Sequence, residues 1–257
     1  MTPGLIDTHC HLDLAPLYSQ LPRIIFDATA AGVTGFVVPG VHPDGWPAIA
    51  ALAAENRQIF PAFGIHPMNA DSADDQTLAR LSVLAPKGIA IGEIGLDPAY
   101  PAPLDLQERV FRAQIRIAVH HGVPVLIHCR RSFQRLLKIM REEGAHQAGG
   151  IMHAFSGSTE IAREFIRLGF AIAISGTVTW HNAVKPLRLA QELPLEHLVL
   201  ETDAPDMTPL RYRGLFNRPA WIVETAQRVA DIRGTSVEEV AKITTANARR
   251  VLRFPYF

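Results

Sequence analysis

Eight short apolar runs, each followed by an amphipathic stretch, recur along this chain from one end to the other. They occupy residues 5–6, 36–38, 62–65, 89–91, 125–127, 151–152, 170–174 and 198–200. Short runs rich in β-branched residues are what strands buried on both faces of a parallel sheet look like. The stretches between them have helical spacing and punctuation. Asp105 with Glu108 reads as a capping box, Leu106, Val110, Ala113 and Ile117 share a face, and Gly122 and Pro124 close that helix. Ile161, Phe165 and Leu168 repeat the pattern before Gly169, and Pro219 opens a helix with Ile222, Val223, Ala226 and Val229 inward. Ser236 and Glu239 cap a last helix through Val240 and Ile243.

Eight βα units of about 32 residues use up the 257 residues. A doubly wound open sheet would carry a Gly-rich dinucleotide loop after its first strand, where this chain has Asp7-Thr8-His9-Cys10-His11. The predicted fold is therefore an α/β (β/α)8 TIM barrel, one domain spanning residues 1–257. The Pro-rich segment 97–104 lies between a strand and a helix start, and is read as an active-face loop rather than a linker.

Composition narrows the function. With 48% hydrophobic and 19% charged residues the chain is globular rather than disordered. No apolar stretch nears the roughly 18 to 20 residues that span a bilayer, and residues 1–4 lack the basic start of a leader. The expectation is a soluble, cytoplasmic protein with no membrane association and no obligate protein partner. Lys plus Arg equal Asp plus Glu at 25 each, so no net field draws the chain onto a duplex, although a local basic rim would suffice for a nucleic-acid substrate. Two cysteines, Cys10 and Cys129, are too few for a disulfide framework and read as core fillers.

In a barrel of this kind chemistry sits where the C-terminal strand ends converge. His9 and His11 follow the first run, His66 the third, Glu93 the fourth, His128 the fifth and His153 the sixth. Ser175 follows the seventh, and Glu201 with Asp203 the eighth. His-x-His at a strand end puts two imidazoles on one side, because side chains alternate with period two. Several buried polar groups meeting without counter-charge are costly, and divalent cations resolve that cost together. Six ligands, His9, His11, Glu93, His128, His153 and Asp203, exceed what one catalytic zinc takes, and suit two cations bridged by a carboxylate, for which Glu93 is the natural choice. Imidazoles favour Zn, Fe or Mn, and the carboxylates admit Mg or Mn. The expected cofactors are two divalent ions drawn from Zn, Mg or Mn. His42, His120, His121, His146, His181 and His197 are assigned no metal role.

The motifs Asp7-Thr8-His9-Cys10-His11-Leu12-Asp13, Gly64-Ile65-His66-Pro67, Gly92-Glu93-Ile94-Gly95-Leu96-Asp97, Val125-Leu126-Ile127-His128-Cys129-Arg130, His153-Ala154-Phe155-Ser156-Gly157 and Glu201-Thr202-Asp203-Ala204-Pro205 resemble those of the TatD family. Asn217-Arg218-Pro219 and residues 245–250 fit as well, so the resemblance spans essentially the full length. It implies a TIM-barrel, metal-dependent hydrolase related to amidohydrolases, with deoxyribonucleases among its members. Residue by residue, it implies that His9, His11, Glu93 and Asp203 hold one metal and Glu93, His128 and His153 the other. Two departures stand out: Met68 replaces a second histidine after the His-Pro, and the loop after Asp97 is Pro-rich.

The leading expectation is hydrolysis of a phosphodiester by a metal-activated water, with DNA as substrate and partner. Asp203 then orients the water and takes its proton, His66 contacts a phosphate oxygen or protonates the leaving group, and Arg130 stabilises phosphoryl charge. Arg131, Arg211, Arg213 and Arg218 extend a rim, and Trp180 offers a face for a base. The alternative is cleavage of a small amide, ester or lactone at the same two metals. Against it stands Glu93, where related amidohydrolases often have a carboxylated lysine. A non-catalytic metal-binding barrel is the third reading.

Overall fold

A computed structural model describes residues 4–254, so the chain start read for a leader, and the outermost bounds of the expected 1–257 unit, lie outside the described residues. Among these residues eight strands alternate with helices. They are β1 (Leu5–Asp7), β2 (Val33–Pro39), β3 (Ile59–Phe63), β4 (Ala90–Leu96), β5 (Val125–Cys129), β6 (Gly150–Met152), β7 (Phe170–Ile174) and β8 (Leu198–Leu200). The helices are α1 (Leu21–Ala30), α2 (Trp46–Glu55), α3 (Asp75–Leu84), α4 (Leu104–His121), α5 (Phe133–Glu142), α6 (Thr159–Arg167), α7 (Lys185–Glu192), α8 (Ile222–Arg233) and α9 (Val237–Leu252). Each strand pairs in parallel with the next, in the order β1 to β8. All eight apolar runs lie in or against these strands.

The barrel closes where the chain beyond β8 meets the chain beyond β1. Thr8 N donates to Leu200 O at 3.1 Å, Asp203 N to His9 O at 2.9 Å, and His11 N to Ala204 O at 2.8 Å. Asp7 lies across the seam: its carboxylate accepts Thr202 N at 2.9 Å and Thr202 Oγ1 at 2.5 Å. The hydrogen bonds that shut the barrel therefore also bring the His-x-His segment to Asp203.

Alternation sorts the strand side chains into two cores. Ile6, Val37, Ala62, Ala90, Leu126, Ile151, Ala171, Ala173 and Val199 fill the barrel, while Phe36, Val38, Phe63, Ile91, Val125 and their counterparts pack beneath the helices. This double burial is why the strands read as continuous apolar runs. Ala248, Leu252 and Phe254 close the barrel at the end opposite the histidines, with the Phe254 ring 4.4 Å from that of Phe60.

Two local expectations are corrected. Asp105 and Glu108 form no capping box: α4 starts after Pro103 without a side-chain cap, and these carboxylates instead pair with Arg135 and Arg112. The buried face of α4 is also rotated from the apolar count, because it includes Gln107 and Gln114 beside Val110, Phe111, Ile115 and Ala118. The Ser236 cap of α9 is as expected, accepting Glu239 N at 3.1 Å.

Phe254 fills the barrel floor, so Phe254→Ala is expected to destabilise the protein by about 3 to 5 kcal/mol. Urea unfolding measures this, and a loss below about 1 kcal/mol would show that the floor collapses around the gap.

Candidate metal centre

Glu93 is buried and faces imidazoles on both carboxylate oxygens. Its Oε2 lies 3.1 Å from His9 Nε2, and its Oε1 lies 3.0 Å from His128 Nδ1, 3.5 Å from His66 Nε2 and 3.7 Å from His153 Nε2. Asp203 Oδ1 completes the group, 3.6 Å from both His11 Nε2 and His153 Nε2 and 3.8 Å from His9 Nε2. The structure thus brings His9, His11, His66, Glu93, His128, His153 and Asp203 to one place. Arg130 stands at the rim: it follows β5, is exposed, and makes no ion pair among the described residues. Cys10 turns away from the metal-site side chains, as alternation requires, with its thiol 3.8 Å from Val37 O.

Local sequence explains the convergence. Glu93 does not follow the fourth strand, as the apolar run suggests, because β4 continues through it to Leu96. Its neighbour β5 comes close enough to set His128 beside it only because residue 95 is glycine. A Cβ at Gly95 would fall 1.8 Å from His128 O, and its φ of +154° disfavours any other residue. Gly64 plays the same part on the other side, where a Cβ would lie 2.6 Å from the Gly92 backbone. Asp203 is held in left-handed backbone geometry, φ +55°, by the seam bonds, an outlier of the kind that clusters at functional sites.

A second layer fixes the rings. Glu201 accepts from His153 Nδ1 at 2.9 Å and from Ala154 N at 2.8 Å, and Asp97 Oδ2 lies 3.1 Å from His128 Nε2. Carboxylates in these places occupy Nδ1 of His153 and Nε2 of His128, so the other ring nitrogen of each faces Glu93 and is the one a cation would take on displacing its proton. The His66 ring is set differently. Its Nδ1 accepts Met68 N at 3.2 Å, which puts the proton of the neutral ring on Nε2. Met68 itself is exposed, so its backbone rather than its side chain serves the site.

Charge follows the same geometry. Burial opposes ionisation of Glu93, yet the imidazoles of His66, His9, His153 and His128 hold its carboxyl well below the usual range. Asp203 is likewise buried and likewise lowered, chiefly by His153 and His11. Burial pushes His153 down, but Glu201, Asp203 and Glu93 override it and raise the imidazole to about 10. His128 rises against burial to about 9 beside Asp97 and Glu93. His9 goes the other way, lowered by burial and by His153. Nδ1 of both His9 and His11 is buried without a hydrogen-bond partner among the described residues, and His9 Nε2 meets the Glu93 carboxylate at 3.1 Å without hydrogen-bond alignment. Orphaned imidazole nitrogens beside ionised carboxylates are a donor set that fits divalent cations.

A cavity of about 610 Å³ opens beside this cluster, lined in part by Arg130, Arg131, Ala154, Ser175, Trp180 and Met207. Trp180 is anchored through Nε1 to Thr208 O at 2.9 Å. The rim is narrower than the sequence suggests, because Arg211 pairs with Glu224 at 3.0 Å and Arg218 packs over Trp221. The Pro-rich loop does lie on this face: the Tyr100 ring is 5.3 Å from that of His66.

A profile of the family described as "TatD related DNase" matches residues 6–253. The chain belongs to that family. A protein of Bacillus subtilis strain 168 named "Uncharacterized metal-dependent hydrolase YabD" is 38% identical over 252 residues, covering 97% of this chain and 99% of the relative. YcfH of Escherichia coli K12, named in the same way, is 34% identical over 253 residues, covering 96% and 95%. The crystal structure of YjjV, a TatD homolog from Escherichia coli K12, superposes with a TM-score of 0.93 at 30% identity, covering 99% of this chain and all 100% of the other. A mutant organophosphorus hydrolase from Deinococcus radiodurans, at 15% identity and a TM-score of 0.64, shares the fold. With its TatD relatives, the chain is a member of a family of metal-dependent hydrolases.

Sequence reasoning left Glu201 and Asp97 without roles, and missed Tyr100. The parity that pairs His9 with His11 would have found Glu201, two residues before Asp203 and on the same side. Asp97 announces itself once His128 is given a metal-facing nitrogen, since the other nitrogen then needs a carboxylate or carbonyl.

These shifts predict how the metal-free protein responds to pH. A histidine whose pKa is raised on folding binds its proton more tightly folded than unfolded, so its stabilisation is complete below about 6.5 and disappears as pH climbs through about 9 and 10. The chelated protein should therefore lose thermal stability between pH 7 and pH 10, and Glu201→Gln should flatten that decline. Parallel melting curves for the two proteins would overturn the assignment.

Proposed function

We propose that this protein is a phosphodiesterase acting on DNA in the cytoplasm, its chain a single barrel unit. In this reading His9, His11, Glu93 and Asp203 hold one divalent cation, Glu93, His128 and His153 hold a second, and the ions are drawn from Zn, Mg or Mn. The observation that carries the reading is Glu93, whose two oxygens face different histidines, Oε2 toward His9 and Oε1 toward His128 and His153. When bound, the cations supply Lewis acidity toward a phosphoryl oxygen and make water a better nucleophile.

The chain's own residues do the rest. Asp203, ionised at neutral pH, orients the attacking water and accepts its proton. His66, with its proton on the Nε2 that faces the site, donates to a phosphoryl oxygen or to the leaving oxygen. Arg130, exposed and without an acidic partner among the described residues, draws in the phosphate of the scissile or adjoining nucleotide, and the cavity it shares with Arg131 and Trp180 takes the neighbouring base.

End-labelled single- and double-stranded DNA, incubated with protein loaded in turn with Zn, Mg and Mn, tests this reading against panels of amides and lactones. Shortening of DNA that stops on chelation and resumes on metal return is expected. Amide or lactone turnover exceeding that on DNA would overturn it. Asp203→Asn should lower turnover about 10²- to 10⁴-fold while leaving the melting temperature nearly unchanged. Glu93→Ala should reduce the number of bound ions in elemental analysis, and unchanged stoichiometry excludes bridging.

A further inference from the structure

Helix α4 turns two buried amides toward main chain that has just left the sheet. Gln114 accepts the N–H of Ile65 at Oε1 (2.8 Å) and donates from Nε2 to the carbonyl of the same residue (3.0 Å). Gln107 treats Asp97 in the same way, accepting its N–H at 2.8 Å and donating to its carbonyl at 3.0 Å, and adds a bond to Ala102 O at 2.9 Å. The side chains are 0% and 1% exposed. Seven residues make about two helical turns, so both amides stand on one face. β3 ends at Phe63 and β4 at Leu96, so Ile65 and Asp97 lie beyond the ladder, and each glutamine supplies the donor and acceptor a neighbouring strand would have given.

Both clamped residues adjoin the metal centre. Ile65 precedes His66, and the rest of that turn is tied as well: Trp46 Nε1 donates to Gly64 O at 3.0 Å and His66 N to Val41 O at 3.0 Å. Asp97 carries the carboxylate on His128 Nε2. Through its third bond, to Ala102, Gln107 also draws together the two ends of the loop that bears Tyr100.

We propose that Gln107 and Gln114 are positioning residues, through which α4 fixes the orientation of His66 and of the Asp97–His128 pair relative to Glu93. Each amide acts through the backbone of a site residue. The proposal rests on the reading of His66 as a hydrogen-bond donor at this centre.

The test uses the full-length, metal-loaded protein with Gln114→Met, which keeps the length of the side chain and removes its bonds. Two-bond proton–nitrogen spectra of ¹⁵N-histidine-labelled protein report the His66 tautomer. The wild type should carry its proton on Nε2 alone, whereas Gln114→Met should show mixed tautomers at His66 with the His153 signals unmoved. On whichever substrate the protein hydrolyses, kcat should fall roughly tenfold to hundredfold with little change in KM. In a His66→Ala background the same substitution should cost about twofold or less. An unaltered His66 tautomer, or an equal loss in both backgrounds, overturns the proposal.

If Gln114→Met does not fold, Gln114→Glu, which keeps the acceptor and loses the donor, is read by the same spectra and criteria. For Gln107→Met the Mn²⁺ dissociation constant should rise about tenfold, and an Asp97→Ala background should abolish that difference. An equal rise in both backgrounds overturns this half. Absence of turnover on every phosphodiester would sink the functional reading, while the tautomer spectra still decide the positioning one.

Discussion

A carboxylate buried among imidazoles organises this molecule. Glu93 lies inside a strand, out of reach of water, and its ionised state is sustained by His9, His66, His128 and His153, which arrive from four other parts of the chain. A lone ionised carboxylate in such a place would be strongly disfavoured. Its neighbours must therefore be delivered with little freedom, and much of the barrel's upper end can be understood as the means of delivery.

Delivery depends on close backbone approach. Gly95 lets β5 lie against β4, Gly64 lets the chain beyond β3 lie against Gly92, and the seam between β8 and β1 sets Asp203 beside His9 and His11. Behind the imidazoles, Glu201, Asp97 and the backbone N–H of Met68 fix which nitrogen of His153, His128 and His66 faces inward. Such supports decide tautomer and direction, which a metal centre needs as much as it needs the ligands themselves. The orphaned nitrogens of His9 and His11 show that hydrogen bonding within the protein does not exhaust the donors.

The fold was largely legible because doubly buried strands leave an unbroken apolar signature, and the eight runs at a regular period left room for little besides a barrel. Strand ends were less so. Glu93 reads as lying beyond its strand because the apolar run stops at Ile91, before Gly92 and the charged residue, whereas β4 carries on through both to Leu96 under the protection of its neighbours. The capping box at Asp105 failed because local spacing says nothing of Arg135, 30 residues away, whose guanidinium draws that carboxylate out of the helix terminus. The buried face of α4 was misjudged for a related reason. Glutamine counts as polar in any periodicity, yet Gln107 and Gln114 are buried with their hydrogen bonds satisfied by main chain.

What the sequence alone determined is the set of residues able to bind cations and the architecture that could gather them, since both are written in residue type and period. Tertiary structure decided what periodicity cannot encode: that Arg211 is paired while Arg130 has no ion pair among the described residues, that the Pro-rich loop brings Tyr100 over His66, and which ring nitrogens are presented. Those outcomes hang on contacts between segments distant in the chain. A hydrogen bond or ion pair formed only after the barrel closes leaves no trace in the spacing of either partner.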